Sequence, residues 1–218
     1  MKKIMFDSKI GLEHYVLSGQ KTMTRRVVPP GILRMALMEQ RMFGGSLEER
    51  IMDHAPILKE TVAIAQSYKD IIDDIGITEW HNSILWRTQE TIGTLSDSRG
   101  WKNKMFVRAD LMPHQIQITD YNVEHLQDIS KEDCLKEGID EDFADGPLIY
   151  WYSVYPFDRE LSYKLSRHEM NGKKGDFFWD TPQGAFAALI NYISPKIDGQ
   201  TCWDANPYVY AYEFKLIR

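Results

Sequence analysis

The sequence predicts an α+β fold in which helices surround a β-barrel. Three strand patterns carry this prediction: one follows the first helix, one lies in the middle of the chain and one ends it. The last of them, YVYAYEFKLI over residues 208–217, alternates side chains with the period of two that is typical of a strand. Strands at both ends and in the middle favour a barrel that the two terminal regions close.

The start of the chain predicts a helix followed directly by a strand. Residues 8–18 place apolar side chains at helical spacing, and Gly19 follows them as a C-terminal stop. The next residues, KTMTRRVV over 21–28, are alternating and β-branched, as in a strand. We therefore expect a helix-to-strand turn at Gly19.

Between its ends the chain alternates between helical and strand patterns. The predicted strands are 61–66, 104–111 and 115–124. The predicted helices are 32–53 with a break at Gly44 and Gly45, 69–75, 82–93, 131–137 after the capping residue Ser130, and 182–193. A length of 218 residues suits one large domain or two very small ones.

Charge limits the classes of partner. The net charge is -6, whereas a protein that wraps long duplex DNA or RNA needs a broad basic face, so we expect no such partner. The charge is uneven, with +5 over residues 1–34 and -7 over residues 124–145. These two stretches either face each other or occupy different surfaces.

Cofactors and membrane insertion are not expected. Cys134 and Cys202 lack a CxxC pattern and a nearby histidine, which predicts reduced thiols in a cytoplasmic protein. The six histidines show no ligand spacing, and no Walker or dinucleotide glycine motif occurs, so we expect no metal and no cofactor. The first residues contain two lysines but no long apolar run, which predicts neither a signal peptide nor a membrane span.

The most informative segment is GQKTMTRR, residues 19–26. It holds a glycine, three cations and two hydroxyls, and a helix-to-strand turn with these groups can present N–H donors and positive charge to an anion. A solvated surface hairpin is the alternative interpretation. On a strand Thr22, Thr24 and Arg26 share one face, and Lys21 joins Thr24 only if it lies in the turn. The candidate ligand-binding residues of this segment are Gly19, Thr22, Arg25 and Arg26.

Several segments resemble the ASCH-domain family. Its motif, G-x-K-x-x-[E/T]-x-R, is matched by Gly19, Lys21, Thr24 and Arg26. Three further segments resemble family elements in the same order: MFVRADLMP (105–113), HLQDISKEDCLKEGI (125–139) and WDANPYVYAYEF (203–214). The resemblance implies a single PUA-like β-barrel domain over residues 1–218, with a central pocket for RNA or nucleotides. The stretches 32–58 and 69–100 resemble the helical insertions of larger bacterial and phage-type members.

The resemblance also implies a catalytic set. A subset of small bacterial members are amidohydrolases that act on N4-acetylcytidine with a Lys, a Thr and a Glu, which match Lys21, Thr24 and Glu137 here. Those enzymes are much shorter than this chain, so the insertions could reshape the pocket. Glu137 ends the predicted helix 131–137, where the helix dipole disfavours negative charge and suits a carboxylate that exchanges protons. Pairing with a surface lysine is the alternative for Glu137.

Three functions therefore stay open. The first is binding of RNA, a nucleotide or a modified nucleoside in a cationic pocket without chemistry. The second is amide hydrolysis of an N-acylated cytidine-type nucleoside. The third is an interaction domain with a vestigial pocket, in which the helical insertions bind an unknown protein partner. Further candidate ligand-binding residues are Gln66 and Tyr68, which follow the central strand and could bond or stack a base, and His114 at a corner. Core packing is an equally good interpretation of Gln66 and Tyr68.

Overall fold

The computed structural model describes residues 1–7, 10–75, 96–143, 148–151 and 179–217. Its strands are β1 (Lys3–Ile4), β2 (Met23–Val27), β3 (Thr61–Ile64), β4 (Gln115–His125), β5 (Asp140–Phe143), β6 (Leu148–Trp151) and β7 (Tyr208–Leu216). Its helices are α1 (Leu12–Leu17), α2 (Pro30–Phe43), α3 (Leu47–Asp53), α4 (Tyr68–Ile75), α5 (Lys131–Lys136), α6 (Pro182–Ile193) and α7 (Cys202–Ala205). The predicted α+β class is confirmed.

Five of these strands form one sheet in the order β1-β3-β4-β7-β2. β1 runs parallel to β3, whereas the pairs β3–β4 and β2–β7 are antiparallel. β5 and β6 form a separate antiparallel pair. Among the residues that the structure describes, the five-stranded sheet therefore ends at β1 and β2 and is not closed into a barrel.

By its internal contacts the chain divides into two compact units. The first comprises Met1–Phe6, Glu60–Gln117 and Leu216–Arg218, and the second comprises Asp7–Lys59 and Ile118–Lys215. Each unit has buried apolar side chains of its own. A single domain over 1–218 stays a prediction.

In the first unit α4 packs against the end of β3. The apolar side chains that bury one another are Ala63, Ala65, Tyr68, Ile71, Val107, Leu111 and Met112. The predicted helix 69–75 is confirmed as α4, while the predicted helix 82–93 lies outside the described residues.

The strand predicted over residues 104–111 is wrong, because this segment forms two 3-10 turns, Lys104–Phe106 and Ala109–Leu111. The side chain of Asn103 accepts a hydrogen bond from Met105 N at 3.0 Å and starts the first turn. Lys3 Nζ donates to the carbonyl oxygens of Lys104, Met105 and Val107 at 2.7–3.0 Å. These carbonyls therefore have a side-chain donor and need no neighbouring strand.

In the second unit the helix boundaries follow local signals. α1 begins at Leu12, later than predicted, because Gly11 before it is left-handed with φ 73°. α2 ends where Gly44 has φ 73°, and the side chain of Ser46 caps α3 by accepting from Glu49 N at 3.1 Å. Thr181 caps α6 in the same way, which confirms the helix predicted over 182–193.

Backbone hydrogen bonds join the start of β2 to the end of α5. Thr22 N donates to the carbonyl oxygen of Lys136 at 2.9 Å, and Phe214 N of β7 donates to the carbonyl oxygen of Thr22 at 2.9 Å. α5 itself starts at Ser130, whose hydroxyl accepts from Asp133 N at 3.0 Å, as predicted. These bonds hold the turn before β2 beside the last residues of α5.

Candidate functional site

Lys21 lies in the turn between α1 and β2, which is the position that the sequence named as the condition for Lys21 to join Thr24. Gly19 has φ 78° and its N–H donates to the carbonyl oxygen of Val16 at 3.0 Å, which ends the helix as predicted. Lys21 N then donates back to the carbonyl oxygen of Tyr15 at 2.8 Å. The Lys21 side chain is 2% exposed, and Thr24 and Arg25 are also buried, so this segment is not a solvated hairpin.

The side chains of Lys21 and Glu137 form a buried ion pair. Lys21 Nζ lies 2.5 Å from Glu137 Oε2 and also donates to the Glu137 carbonyl oxygen at 2.7 Å. Glu137 is 4% exposed and caps the C-terminal end of α5. Burial lowers the pKa of Lys21, and the adjacent carboxylate offsets part of that effect. Glu137 therefore pairs with an interior lysine rather than with a surface one.

Arg25 holds the other side of the same carboxylate. Its Nη1 donates to Glu137 Oε1 at 3.3 Å, its Nη2 lies 3.0 Å from Asp133 Oδ2, and its Nε donates to Glu124 Oε1 at 2.7 Å. Burial alone would lower the pKa of Arg25, but the three carboxylates outweigh it and raise the pKa. Arg25 is thus engaged on all sides by carboxylates of the second unit.

Glu124 and Asp133 were not predicted as site residues, yet both belong to this cluster. The signal that could have found them is the charge asymmetry, because the basic stretch 1–34 supplies Lys21 and Arg25 while the acidic stretch 124–145 supplies their carboxylate partners. The two stretches therefore face each other. Carboxylates balance the cations at this place, which differs from the cationic pocket that the motif suggested.

The remaining motif residues lie along β2. Thr24 is buried and pairs with Tyr212 of β7. Arg25 Nη1 contacts Met23 Sδ at 3.2 Å, so these two side chains share a face, and alternation turns Thr24 to the opposite face. Among the described residues Thr24 makes no side-chain hydrogen bond to Lys21 or to Glu137. Arg26 is partly exposed, and burial lowers its pKa.

The candidates Gln66, Tyr68 and His114 belong to the first unit. Gln66 Nε2 donates to Asp74 Oδ2 at 3.2 Å, and His114 Nε2 lies 2.5 Å from the same oxygen. Asp74, which no sequence motif marks, joins these two side chains. Tyr68 packs in the apolar core of its unit, which agrees with the core-packing interpretation.

Both cysteines are free and buried, as expected for reduced thiols. Within the described ranges, no group of three or more His, Cys, Asp or Glu side chains is arranged to hold a metal ion. No helix in the same ranges combines the length and apolar composition needed to cross a bilayer.

Comparison with known proteins gives no relative for this chain. No protein-family model, no curated protein and no solved structure matches it. The resemblance to ASCH domains therefore depends on the motif residues themselves, of which Lys21 and Glu137 lie in direct contact.

Proposed function

We propose that the Lys21–Glu137 pair is the centre of a site that binds a modified nucleoside and hydrolyses its N-acyl amide, with an N-acylated cytidine as the substrate class. The observation that carries this proposal is the buried contact of 2.5 Å between an ammonium and a carboxylate. Side chains that exchange protons in a desolvated place are typical of general acid–base sites.

Each charged group of the pair has a task in amide hydrolysis. The Glu137 carboxylate accepts a proton from water, and the resulting hydroxide oxygen forms a bond to the acyl carbon. Once Glu137 has accepted the proton it no longer carries the charge that holds Lys21, and the Lys21 ammonium then stabilises the oxyanion of the tetrahedral intermediate. The C–N bond then breaks, the amino group of the base leaves with the proton that Glu137 accepted, and the acyl group leaves as a carboxylic acid. The lowered pKa of Lys21 also makes its ammonium a better hydrogen-bond donor.

Thr24 enters this proposal as nucleophile or as substrate anchor. As nucleophile it would replace water in the first step: its hydroxyl proton passes to Glu137, its oxygen forms an ester with the acyl group as the C–N bond breaks, the amino group of the base leaves with that proton, and water then hydrolyses the ester. It would need to turn toward the pair when substrate binds, since alternation along β2 places it opposite Arg25. As substrate anchor, its hydroxyl would form a hydrogen bond to the nucleobase from the face of β2 opposite Arg25. Thr24→Val, which keeps the shape and removes the hydroxyl, separates the two: a nucleophile loses turnover, whereas an anchor raises KM.

The charge balance supports a neutral substrate over a polyanion. Arg25 is bound by three carboxylates and Lys21 by one, so neither cation is available to a phosphate without breaking a buried ion pair. Removing a partner from such a pair leaves an uncompensated buried charge, which costs about 3–5 kcal/mol. A nucleoside or base carries no charge that would compete for these groups.

Binding of RNA or a nucleotide without chemistry is the second candidate. The observation that favours it is the partial exposure of Arg26, which follows the buried Arg25 on the same strand. The Nε atom of Arg26 is itself buried, so a phosphate would contact this guanidinium only after the surrounding side chains move. Binding of a short RNA should then weaken as salt concentration rises, and Arg26→Gln should reduce that salt dependence.

Membership of the ASCH family, a barrel of PUA-like type and a cytoplasmic location are parts of the same proposal. The family and the barrel are supported by the ordered series of motif segments and by the position of β7, which brings the end of the chain between β4 and β2. The cytoplasmic location is supported by the two free cysteines. Of the strands in the described ranges, β5 and β6, which follow α5, lie outside the five-stranded sheet and could contribute to closure.

The deciding experiment is incubation of the purified protein with N4-acetylcytidine, with release of cytidine followed by chromatography. Glu137→Gln should lower turnover by at least about 100-fold, because it keeps the shape of the side chain and removes the carboxylate that accepts the proton from water. Glu132→Gln is the matched control, since Glu132 is exposed on the same helix and should leave turnover unchanged. Absence of turnover in the unmodified protein, or turnover that survives Glu137→Gln, rejects the proposal.

A further inference from the structure

The outer face of α2 carries an exposed apolar and basic stripe. Its members, named here the Met–Arg face, are Arg34, Met35, Met38, Arg41 and Met42. The three methionines are 48%, 61% and 64% exposed, and both arginines are exposed. At 3.6 residues per turn the five side chains occupy about 120° of the helix circumference, so they form one continuous surface.

The opposite face of α2 is the one that packs within the second unit. Ala36, which lies there, is fully buried. Glu39 is the single carboxylate of this helix, and it is bound to His54 at 2.9 Å. The Met–Arg face therefore combines apolar side chains with positive charge and contains no acidic residue of its own.

We propose that the Met–Arg face docks an amphipathic helix of a partner protein that carries acidic residues beside its apolar stripe. Met35, Met38 and Met42 have the i, i+3, i+7 spacing that meets an apolar helix face. Methionine is flexible and polarisable, and it is common at surfaces that accept helices. Arg34 and Arg41 lie seven residues apart, about 10.5 Å along the axis, which matches two carboxylates spaced by two turns on the partner.

The Met–Arg face fits a peptide better than a nucleic acid. Two arginines on a chain with a net charge of -6 give little of the broad positive potential that phosphate backbones require. The three methionines next to these arginines offer apolar contact area. An amphipathic helix would bury this area, whereas a sugar-phosphate backbone would not. The proposal is independent of the nucleoside site, since none of its residues belongs to the Lys21–Glu137 cluster.

The test uses the full chain with methyl-labelled methionines and two designed helical peptides. Both peptides carry leucines at i, i+3 and i+7; one has flanking glutamates seven residues apart, and the other has lysines at those positions. NMR titration then follows all ten methionine methyl groups of the chain. We expect the acidic peptide to shift the resonances of Met35, Met38 and Met42 and to bind at least about tenfold more tightly than the basic peptide.

Variants assign the contributions of charge and apolar contact. The double change Arg34→Glu with Arg41→Glu should reverse the preference between the peptides, and Met38→Ser should weaken the acidic peptide about tenfold. Lys102→Glu and Met105→Ser are the matched controls, because both residues are exposed outside this face and should change nothing. All the changed side chains are exposed, and unchanged thermal unfolding would verify that each variant is folded.

Four outcomes overturn the proposal. Equal affinity for the two peptides removes the charge argument, and no binding of the acidic peptide removes the docking site itself. Shifts confined to methionines outside the face place the contact elsewhere. Shifts of the same three methyl groups on raising the protein concentration alone, with a dimer in sedimentation, would instead assign the face to a second copy of this chain.

Discussion

Lys21 Nζ lies 2.5 Å from Glu137 Oε2, although 116 residues separate the two in the sequence. The contact depends on two local devices, the glycine turn that ends α1 and the serine cap that starts α5. Arg25 approaches the other oxygen of the same carboxylate at 3.3 Å. Glu137 therefore lies between two cations in the interior of the second unit, and the three side chains are energetically coupled.

This arrangement predicts an order of stability among variants of the pair. Glu137→Leu leaves the buried Lys21 without its carboxylate, which should lower the free energy of unfolding by about 3–5 kcal/mol. Lys21→Met should cost less, because Glu137 keeps its contact with Arg25. Urea unfolding of both variants measures the difference. An equal or larger loss for Lys21→Met would contradict the position of Glu137 between the two cations.

Arg25 should act as a positioning residue through the planar fork of its guanidinium. Arg25→Lys keeps the charge but cannot hold Glu124, Asp133 and Glu137 together. We expect kcat for deacylation to fall by about 10–100-fold with little change in KM, since Glu137 is then misplaced. Arg50→Lys is the control, because the half-buried Arg50 bonds the Gly44 carbonyl oxygen and Asp53 and lies outside the Lys21–Glu137 cluster. A change in KM alone would assign Arg25 to substrate binding instead.

Local signals predicted the elements that end on a cap. Helix α6 spans the residues expected from its sequence, because Thr181 caps it and Pro182 suits the first helical position. The turns over 104–111 depend instead on Lys3, which lies about a hundred residues earlier in the chain. No local pattern marks that contact, so alternation alone indicated a strand there.

The central pair of the candidate site, Lys21 and Glu137, was predictable from the sequence, whereas the carboxylates around Arg25 were less so. The motif match predicted Lys21 and Glu137 in one site, and strand alternation predicted that Thr24 and Arg25 lie on opposite faces of β2. Which acids of the stretch 124–145 bind Arg25 could not all be predicted. Glu124 lies on β4, while Asp133 and Glu137 lie in α5 and at its C-terminal cap, and the relative position of these elements is a tertiary property. Asp74 could not be predicted either. It bonds Gln66, which is close in the sequence, and His114, which is 40 residues away and reaches it only in the folded protein.

Both thiols should be unreactive in the folded protein. Burial raises the pKa of Cys134 to about 12 and also raises the pKa of Cys202, so the thiolate that attacks disulfide reagents is scarce at pH 8. We expect two thiols per chain to react in denaturant and neither to react faster than the protein unfolds. Rapid labelling of one thiol under native conditions would show that its side chain is accessible.

The neighbouring residues Lys2 and Lys3 should differ sharply in their contribution to the first unit. Lys3→Met removes a charged donor from three carbonyl oxygens, so the free energy of unfolding should fall by about 1.5–3 kcal/mol. Amide hydrogen exchange over residues 104–107 should become faster as these turns open. Lys2→Met removes only an exposed ion pair with Glu60, which is worth about 0–1 kcal/mol. Similar losses in both variants would argue against Lys3 as the residue that organises these turns.

Gly100 and Gly31 should respond to alanine with opposite signs. A Cβ at Gly100 would lie 2.6 Å from Tyr68 Cε2 and 3.2 Å from Val107 Cγ2, and both neighbours belong to the packed core of the first unit. Gly100→Ala should therefore lower the free energy of unfolding by about 1–3 kcal/mol, as overpacking does. Gly31 lies in the first turn of α2 with nothing within 4 Å of the added atom, so Gly31→Ala should raise it by about 0.5–1 kcal/mol. Urea denaturation of the two variants gives both values, and a stabilising Gly100→Ala would mean that the Tyr68 ring does not pack against this glycine.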